Sequence, residues 1–206
     1  DESLHDDLKK TLKSNLEEFD RISDIINNLL TLNAFVRSEY ISFGPVHLIK
    51  IVETVTEKLK GLRERREVTL TLDTVDAVVW GNSTALEQIA TNVFKNAINY
   101  TPRGGSISIS VKDVSLYYAE LAIADTGIGV DRKDLMRVFE PFYRSKRSKE
   151  RRRGGSGLGL AIVGELVRLH YGQIAFRSSP GKGTTVRITL PKRDRGSGTH
   201  IAPIEP

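Results

Sequence analysis

The chain has 206 residues, 39% of them hydrophobic and none of them cysteine, which is enough for one core plus an appendage and excludes disulfides and thiolate metal sites. Its formal charge of +5 is local, because Arg144 to Arg153 holds seven basic residues and one acid, a net of +6, and everything else sums to −1. One basic loop without a basic face argues against a duplex tracked along a groove and for a small polyanion held at one place, so no nucleic acid partner is expected.

In chain order, Leu12, Leu16, Phe19, Ile22, Ile26, Leu29, Asn33 and Val36 recur at steps of three and four. They predict one apolar stripe on a helix over residues 3–39, too long to be covered by a small domain, so a partner helix in a bundle or coiled coil is expected. Gly44-Pro45 breaks the pattern and marks a boundary. Leu48, Ile51, Val52, Val55 and Leu59 give a second amphipathic helix, and "EVTLTLD" and "AVVWG" read as strands, the latter ending at Gly81. Asn82 or Ser83 caps a helix that runs to Tyr100 and is stopped by Thr101-Pro102. "SISISVKDV" and "LYYAELAIAD" alternate as a hairpin pair. A further helix is expected from Gly157 to His170, then strands "QIAFRSS" and "TTVRITL" around the turn Pro180-Gly181-Lys182-Gly183. Helices mixed with mainly antiparallel strands predict an α+β two-layer sandwich. The domain division is 1–40, a helix expected to pair with a partner helix; 41–191, one α+β domain; and 192–206, a flexible tail. No apolar run reaches bilayer length, and a start at Asp1 fits a fragment whose membrane segments, where present, lie upstream.

Three places carry chemistry. Asn92 and Asn96, four apart on the helix that ends at Tyr100, share a face with Asn99 and Tyr100. Two stacked amide oxygens suit a hard cation that keeps its waters and bridges phosphates, as magnesium does, although surface asparagines also simply solvate helices. In "IADTGIG", Asp125 ends an apolar strand beside Gly127 and Gly129. Its carboxylate can accept from an exocyclic amine while the glycines let backbone approach a flat base; an ordinary turn is the plainer reading. Gly155, Gly157 and Gly159 open an apolar helix whose free N–H groups attract phosphate. No strand immediately precedes them and no Lys-Ser/Thr follows, so dinucleotide and Walker-type loops are excluded.

In order, "NVFKNAINYTP", "DTGIG", "FEPFYR", "GGSGLGLAI" and "GKGTTV" resemble the N, first glycine, F, second glycine and third glycine boxes of sensor histidine kinases. The resemblance covers roughly residues 43–191 and implies the Bergerat-type ATP-binding fold. "LKKTLKSNLEEFDRISDIINNLLTLNAFVRSE" resembles the second helix of the family's dimerisation hairpin, which implies a homodimer built through the N-terminal helix. By this resemblance Asn92 and Asn96 sit at magnesium, Tyr100 stacks near adenine, and Asp125 binds the adenine amine with Thr184 supporting it through water. Gly127 and Gly129 shape the base pocket, and Phe139, Pro141 and Phe142 anchor a lid. Arg144, with Lys149 or Arg153, approaches the phosphates of ATP, and Gly155, Ser156, Gly157, Leu158, Gly159 and Leu160 supply backbone contacts and the hinge.

Two departures qualify the match. Asn99 stands where the family often has a basic residue, which puts one phosphate contact in doubt. The H box, a histidine followed by an acid and an Arg-Thr-Pro run, is absent; His5 lacks that context, and His47, His170 and His200 lack any catalytic context. The expectation is a catalytic fragment of a histidine kinase with ATP and magnesium as cofactors. The H-box helix of its parent and a cognate response regulator are its partners, and it is the cytoplasmic portion of a bacterial inner-membrane sensor. The alternatives are a nucleotide-responsive dimerisation module without phosphoryl transfer, and an ATPase of gyrase or chaperone type, which "FEPFYR" disfavours.

Overall fold

The computed structural model describes residues 42–145 and 156–193 continuously, together with scattered positions between Leu8 and Ile26. Those scattered positions are helical, and their apolar members Leu8, Leu12, Leu16, Phe19, Ile22 and Ile26 are all exposed. The expected stripe is therefore present and uncovered as far as Ile26; Leu29, Asn33 and Val36 lie outside the described residues, as do the tail from Asp194 onward and His5.

The domain proper begins with strand β1 (Gly44–His47), helix α1 (Leu48–Lys58) and a short helix α2 (Lys60–Arg65). Strands β2 (Thr69–Thr74) and β3 (Val78–Gly81) precede the long helix α3 (Ser83–Tyr100), and the hairpin β4 (Ser106–Asp113) and β5 (Tyr118–Asp125) follows. A 3-10 helix (Arg132–Arg137) follows, and then come α4 (Gly159–Leu169), β6 (Gln173–Ser178) and β7 (Thr184–Pro191). The main sheet has the order β2-β4-β5-β7-β6, and β1 pairs with β3 in a separate two-stranded ribbon.

One sheet face and the helices share the core. In β4, Ile107, Ile109 and Val111 are buried while Ser108 and Lys112 are exposed, the alternation of a sheet with one solvated face. On α1, Leu48, Ile51, Val52 and Val55 are buried, and on α3 the buried set is Ala85, Leu86, Ile89, Ala90, Val93, Phe94, Ala97 and Ile98. Each fully buried Leu, Ile or Phe contributes roughly 1.5–3 kcal/mol, so these two helices are held mainly by this seam.

Helix α3 begins where the sequence places it. The Asn82 side chain accepts from the Ala85 N–H at 2.9 Å, a cap typically contributing about 1 kcal/mol. It ends at Thr101, whose hydroxyl donates back to the Ala97 carbonyl at 2.7 Å and whose backbone is extended ahead of Pro102.

Three features differ from the sequence expectation. The Gly44-Pro45 boundary opens β1, where Pro45 lies opposite Trp80 on a two-stranded ribbon that tolerates a missing donor. Strand β2 pairs with β4 in parallel, within a sheet that is otherwise antiparallel. The helix expected from Gly157 starts at Gly159, since Gly157 has φ +75° and cannot continue a right-handed turn.

Candidate functional site

Helix α3 presents two faces along its length, with Val93 and Ala97 at their boundary. One face supplies the core residues, and the other, with Thr91, Asn92, Lys95, Asn96, Asn99 and Tyr100, lines a cavity of about 400 Å³. Both faces repeat at three and four residues, so the core stripe automatically aims the asparagines at the cavity.

The floor of the cavity comes from neighbouring strands. Ile123 and Asp125 project from β5, Thr184 and Val186 from β7, and Phe176 from β6. Asp125 and Thr184 are partners across the β5–β7 ladder. The Asp125 Oδ1 accepts from the Gly127 N–H at 2.7 Å and from the Thr184 N–H at 3.2 Å. Burial raises the Asp125 carboxyl pKa to about 6 even though both N–H groups pull it down. Because Oδ1 takes both backbone donors, Oδ2 is left for a ligand. The Thr184 hydroxyl pairs with the Ser178 hydroxyl at 2.9 Å, so Thr184 supports Asp125 directly through its own N–H.

The loop after β5 needs glycine where it turns back. Gly129 has φ +64°, and a Cβ there would fall 1.9 Å from the Ser179 carbonyl oxygen. The Ile128 N–H donates to the Tyr100 carbonyl at 3.2 Å, which fixes the Asp125 loop beside the C-terminal end of α3.

The opposite end of the cavity lies where α4 begins. The Asn92 Nδ2 donates to the Gly159 carbonyl at 3.4 Å, which leaves its Oδ1 available. Ser156 is buried, and its hydroxyl accepts from the Leu158 N–H at 3.2 Å. Thr91 contributes a buried hydroxyl with no hydrogen-bond partner. Asn96 and Asn92 precede Tyr100 by four and eight residues, so at about 1.5 Å per residue the site is laid out along α3. The Asp125 loop is at one end and the start of α4 at the other.

Of the three residues expected to anchor a lid, only Phe139 packs through its side chain. It packs edge-on against Phe176 with ring centroids 5.9 Å apart. Pro141 and Phe142 are exposed. The Phe142 backbone is held instead, its N–H donating to the Gly157 carbonyl at 3.0 Å. Tyr143 is also held by its side chain: its hydroxyl donates to Asp134 Oδ1 at 2.7 Å while the Arg137 guanidinium sits 4.2 Å from its ring centroid.

Thus Asn92, Asn96, Asn99, Tyr100, Asp125, Gly129, Arg144, Ser156, Gly157, Gly159, Leu160 and Thr184 all line one cavity. Gly127 acts one step back by holding Asp125, and Leu158 is buried in the core. Lys149, Arg153 and Gly155 lie outside the described residues. Sequence reasoning missed Lys58, Gln88, Thr91 and Lys95 as cavity residues. The last three share the helical face of Asn92 and Asn96, so the same periodicity contains them. Phe176 and Tyr143 required knowledge of the strand order and the lid path.

One cavity with an acid at one end, paired amides midway and a glycine-opened helix at the other thus lies on a mixed α/β fold. Residues 81–194, over half of the chain, match the family described as histidine kinase-, DNA gyrase B- and HSP90-like ATPase. The chain belongs to this family, and the part matched is a histidine kinase catalytic ATP-binding domain. It is 32% identical over 183 residues to the sensor histidine kinase WalK of Bacillus subtilis, covering 86% of this chain and 30% of that protein. It is 31% identical over 189 residues to the sensor-like histidine kinase SenX3 of Mycolicibacterium smegmatis, covering 91% and 49%. The chain therefore spans half or less of the length of these relatives. Among solved structures, the mycobacterial sensor histidine kinase MprB superposes with a TM-score of 0.64 at 30% identity, covering 73% of this chain and 97% of that one. Full-length ShkA, solved in complex with AMPPNP, shares the fold with a TM-score of 0.73 at 22% identity, over 89% of this chain and 38% of that one. No helix among the described residues is long and apolar enough to cross a membrane.

Proposed function

We propose that this chain is the nucleotide half of a two-component histidine kinase: it binds ATP between α3 and the lid and presents the γ-phosphoryl to a histidine on another helix. The observation that carries this reading is the single cavity joining Asp125, the Asn92–Asn96 pair and Arg144. Asp125 Oδ2 accepts from the exocyclic amine of adenine, with Tyr100 beside the base. Arg144 and the glycine-opened start of α4 face the phosphates.

The donor set fits magnesium bound through a substrate. No cluster of three His, Cys, Asp or Glu among the described residues could hold a metal by itself. Two amide oxygens one turn apart suit an octahedral ion that keeps waters and takes its other ligands from phosphate. Bound there, magnesium would neutralise charge between the phosphates. Asn92 is already oriented for this, since its Nδ2 is committed to Gly159.

In the transfer step the acceptor imidazole nitrogen attacks the γ-phosphorus. A P–N bond forms, the β,γ-bridging P–O bond breaks, ADP leaves, and the imidazole proton passes to the acid beside the acceptor. Residues 1–40 supply the dimerisation helix and 41–191 the catalytic domain, with 192–206 as a tail. The uncovered stripe Leu8–Ile26 supports pairing in a homodimeric bundle. The acceptor histidine and its H-box helix, the response regulator that receives the phosphate on an aspartate, and any inner-membrane attachment belong to the parent protein.

The test is labelling with γ-32P-ATP. This chain alone should remain unlabelled, and His5→Ala should change nothing. Mixed with an H-box hairpin from its own parent, it should label that piece on histidine, with an acid-labile, base-stable product. Labelling of the chain alone that vanishes in His5→Ala would make it a complete kinase. ATP binding without transfer to any H-box hairpin would favour the nucleotide-responsive module.

A further inference from the structure

One positive group of the cavity has no role in the reading above. Lys95 lies on the cavity face of α3, between Asn92 and Asn96 in sequence and one turn before the neutral Asn99. Among the described residues, the cations lining the cavity are Lys58, Lys95 and Arg144. Lys58 ends α1, where it bridges to Glu87 at 2.9 Å, and Arg144 comes from the lid segment. Lys95 is therefore the cation that α3 itself carries into the site.

We propose that Lys95 is a phosphate-binding residue that contacts the nucleotide's polyphosphate from α3. Its level along the helix supports this. The adenine end is fixed at Tyr100, where the Ile128 N–H meets the Tyr100 carbonyl. Lys95 lies five residues nearer the helix start, about 7.5 Å along the axis, at the level of the amide pair. One turn further lies Thr91, whose buried hydroxyl has no partner within the protein, so this end of the cavity is equipped for a polar ligand that the protein does not supply. An ammonium on four flexible carbons can follow phosphate oxygens without the planar geometry that arginine demands. A cation carried by the helix itself is fixed beside the cavity, so Lys95 would hold the diphosphate portion as well as the γ-phosphate.

This inference rests on the nucleotide reading above, and the experiment separates the two. Adenosine, ADP and a non-hydrolysable ATP analogue are titrated calorimetrically into the wild-type chain, Lys95→Met, Lys95→Arg and the double variant Lys95→Met/Asn99→Lys. Lys95→Met should weaken ADP and the ATP analogue about tenfold or more while leaving adenosine unchanged, as loss of a charged hydrogen bond to phosphate requires. Lys95→Arg should retain most of the affinity. Moving the cation one turn in the double variant should restore part of it. The ADP affinity of the wild type should also fall more steeply with salt than that of Lys95→Met. Unchanged ADP affinity in Lys95→Met, or an equal loss for adenosine, would overturn the assignment. A wild-type chain that binds none of the three would overturn the nucleotide reading and this inference together.

Discussion

The backbone N–H of Asn82 donates to His170 Nε2 at 3.0 Å, joining the start of α3 to the end of α4. The backbone group can only donate, so Nε2 is the acceptor and Nδ1 carries the proton it gives to the Leu166 carbonyl at 2.7 Å. Phe43 packs against the ring at 4.8 Å, and a Cβ on Gly81 would come within 2.7 Å of it. His170 is thus a neutral structural residue, and protonation would set one N–H against another.

Burial lowers the His170 pKa below its ordinary value. Between the folded and unfolded pKa values the unfolded chain takes up a proton that the folded chain refuses. The stability His170 contributes is therefore full above about pH 6.5 and is lost as pH falls below it. His170→Gln has no such titration. Urea midpoints of the two proteins should differ at pH 7.5 in favour of the wild type, and the gap should narrow by pH 5. A gap independent of pH would show that the imidazole is not held neutral.

Gly157 and Gly104 have nearly the same positive φ, +75° and +76°. A Cβ on Gly157 would lie 2.7 Å from the Phe142 carbonyl carbon, whereas one on Gly104 meets nothing within 4 Å. Gly104→Ala should lose only the left-handed backbone term, about 1–2 kcal/mol. Gly157→Ala should lose that and the clash, and should weaken nucleotide binding by moving the lid base. Equal losses in denaturant melts would mean that Phe142 and Gly157 do not approach closely.

Local signals were legible where one stretch decides the outcome. The Asn82 cap, the core stripe of α3 and the Thr101-Pro102 stop follow from spacing and residue type, and all three stand in the structure. The short β1 and the parallel β2–β4 pairing were not legible, because both are decided by partners distant in sequence. The same holds at the site. The asparagine face was visible from helical periodicity, while the Tyr143 contact with Asp134 is one that no local pattern encodes.

If the amide pair holds the metal through the nucleotide, Asn96→Ala should abolish the magnesium dependence of ATP-analogue binding and leave adenosine binding nearly intact. Titrations with and without magnesium provide the readout. A variant that responds to magnesium as the wild type does would remove Asn96 from the metal site.

Asp125 connects binding to stability. Its carboxyl titrates near pH 6 in the fold against 3.8 for an unperturbed aspartate, so its ionisation opposes folding as pH rises through about 6. The opposing contribution at neutral pH is on the order of 3 kcal/mol. Asp125→Asn keeps an acceptor for Gly127 and Thr184, so the nucleotide-free variant should gain stability relative to wild type at pH 7.5. That gain should shrink at pH 4 in thermal melts. A gain of the same size at both pH values would exclude a buried ionising carboxylate.

The same substitution tests the central claim, that this cavity reads adenine through Asp125. Calorimetric titration at pH 7.5 should show ADP and the ATP analogue weakened alike in Asp125→Asn, by about 1.5–3 kcal/mol for one charge-assisted hydrogen bond. Wild-type affinity should also fall as pH drops through about 6, with no matching step in the variant. Wild-type ADP affinity in a folded Asp125→Asn protein would contradict the account.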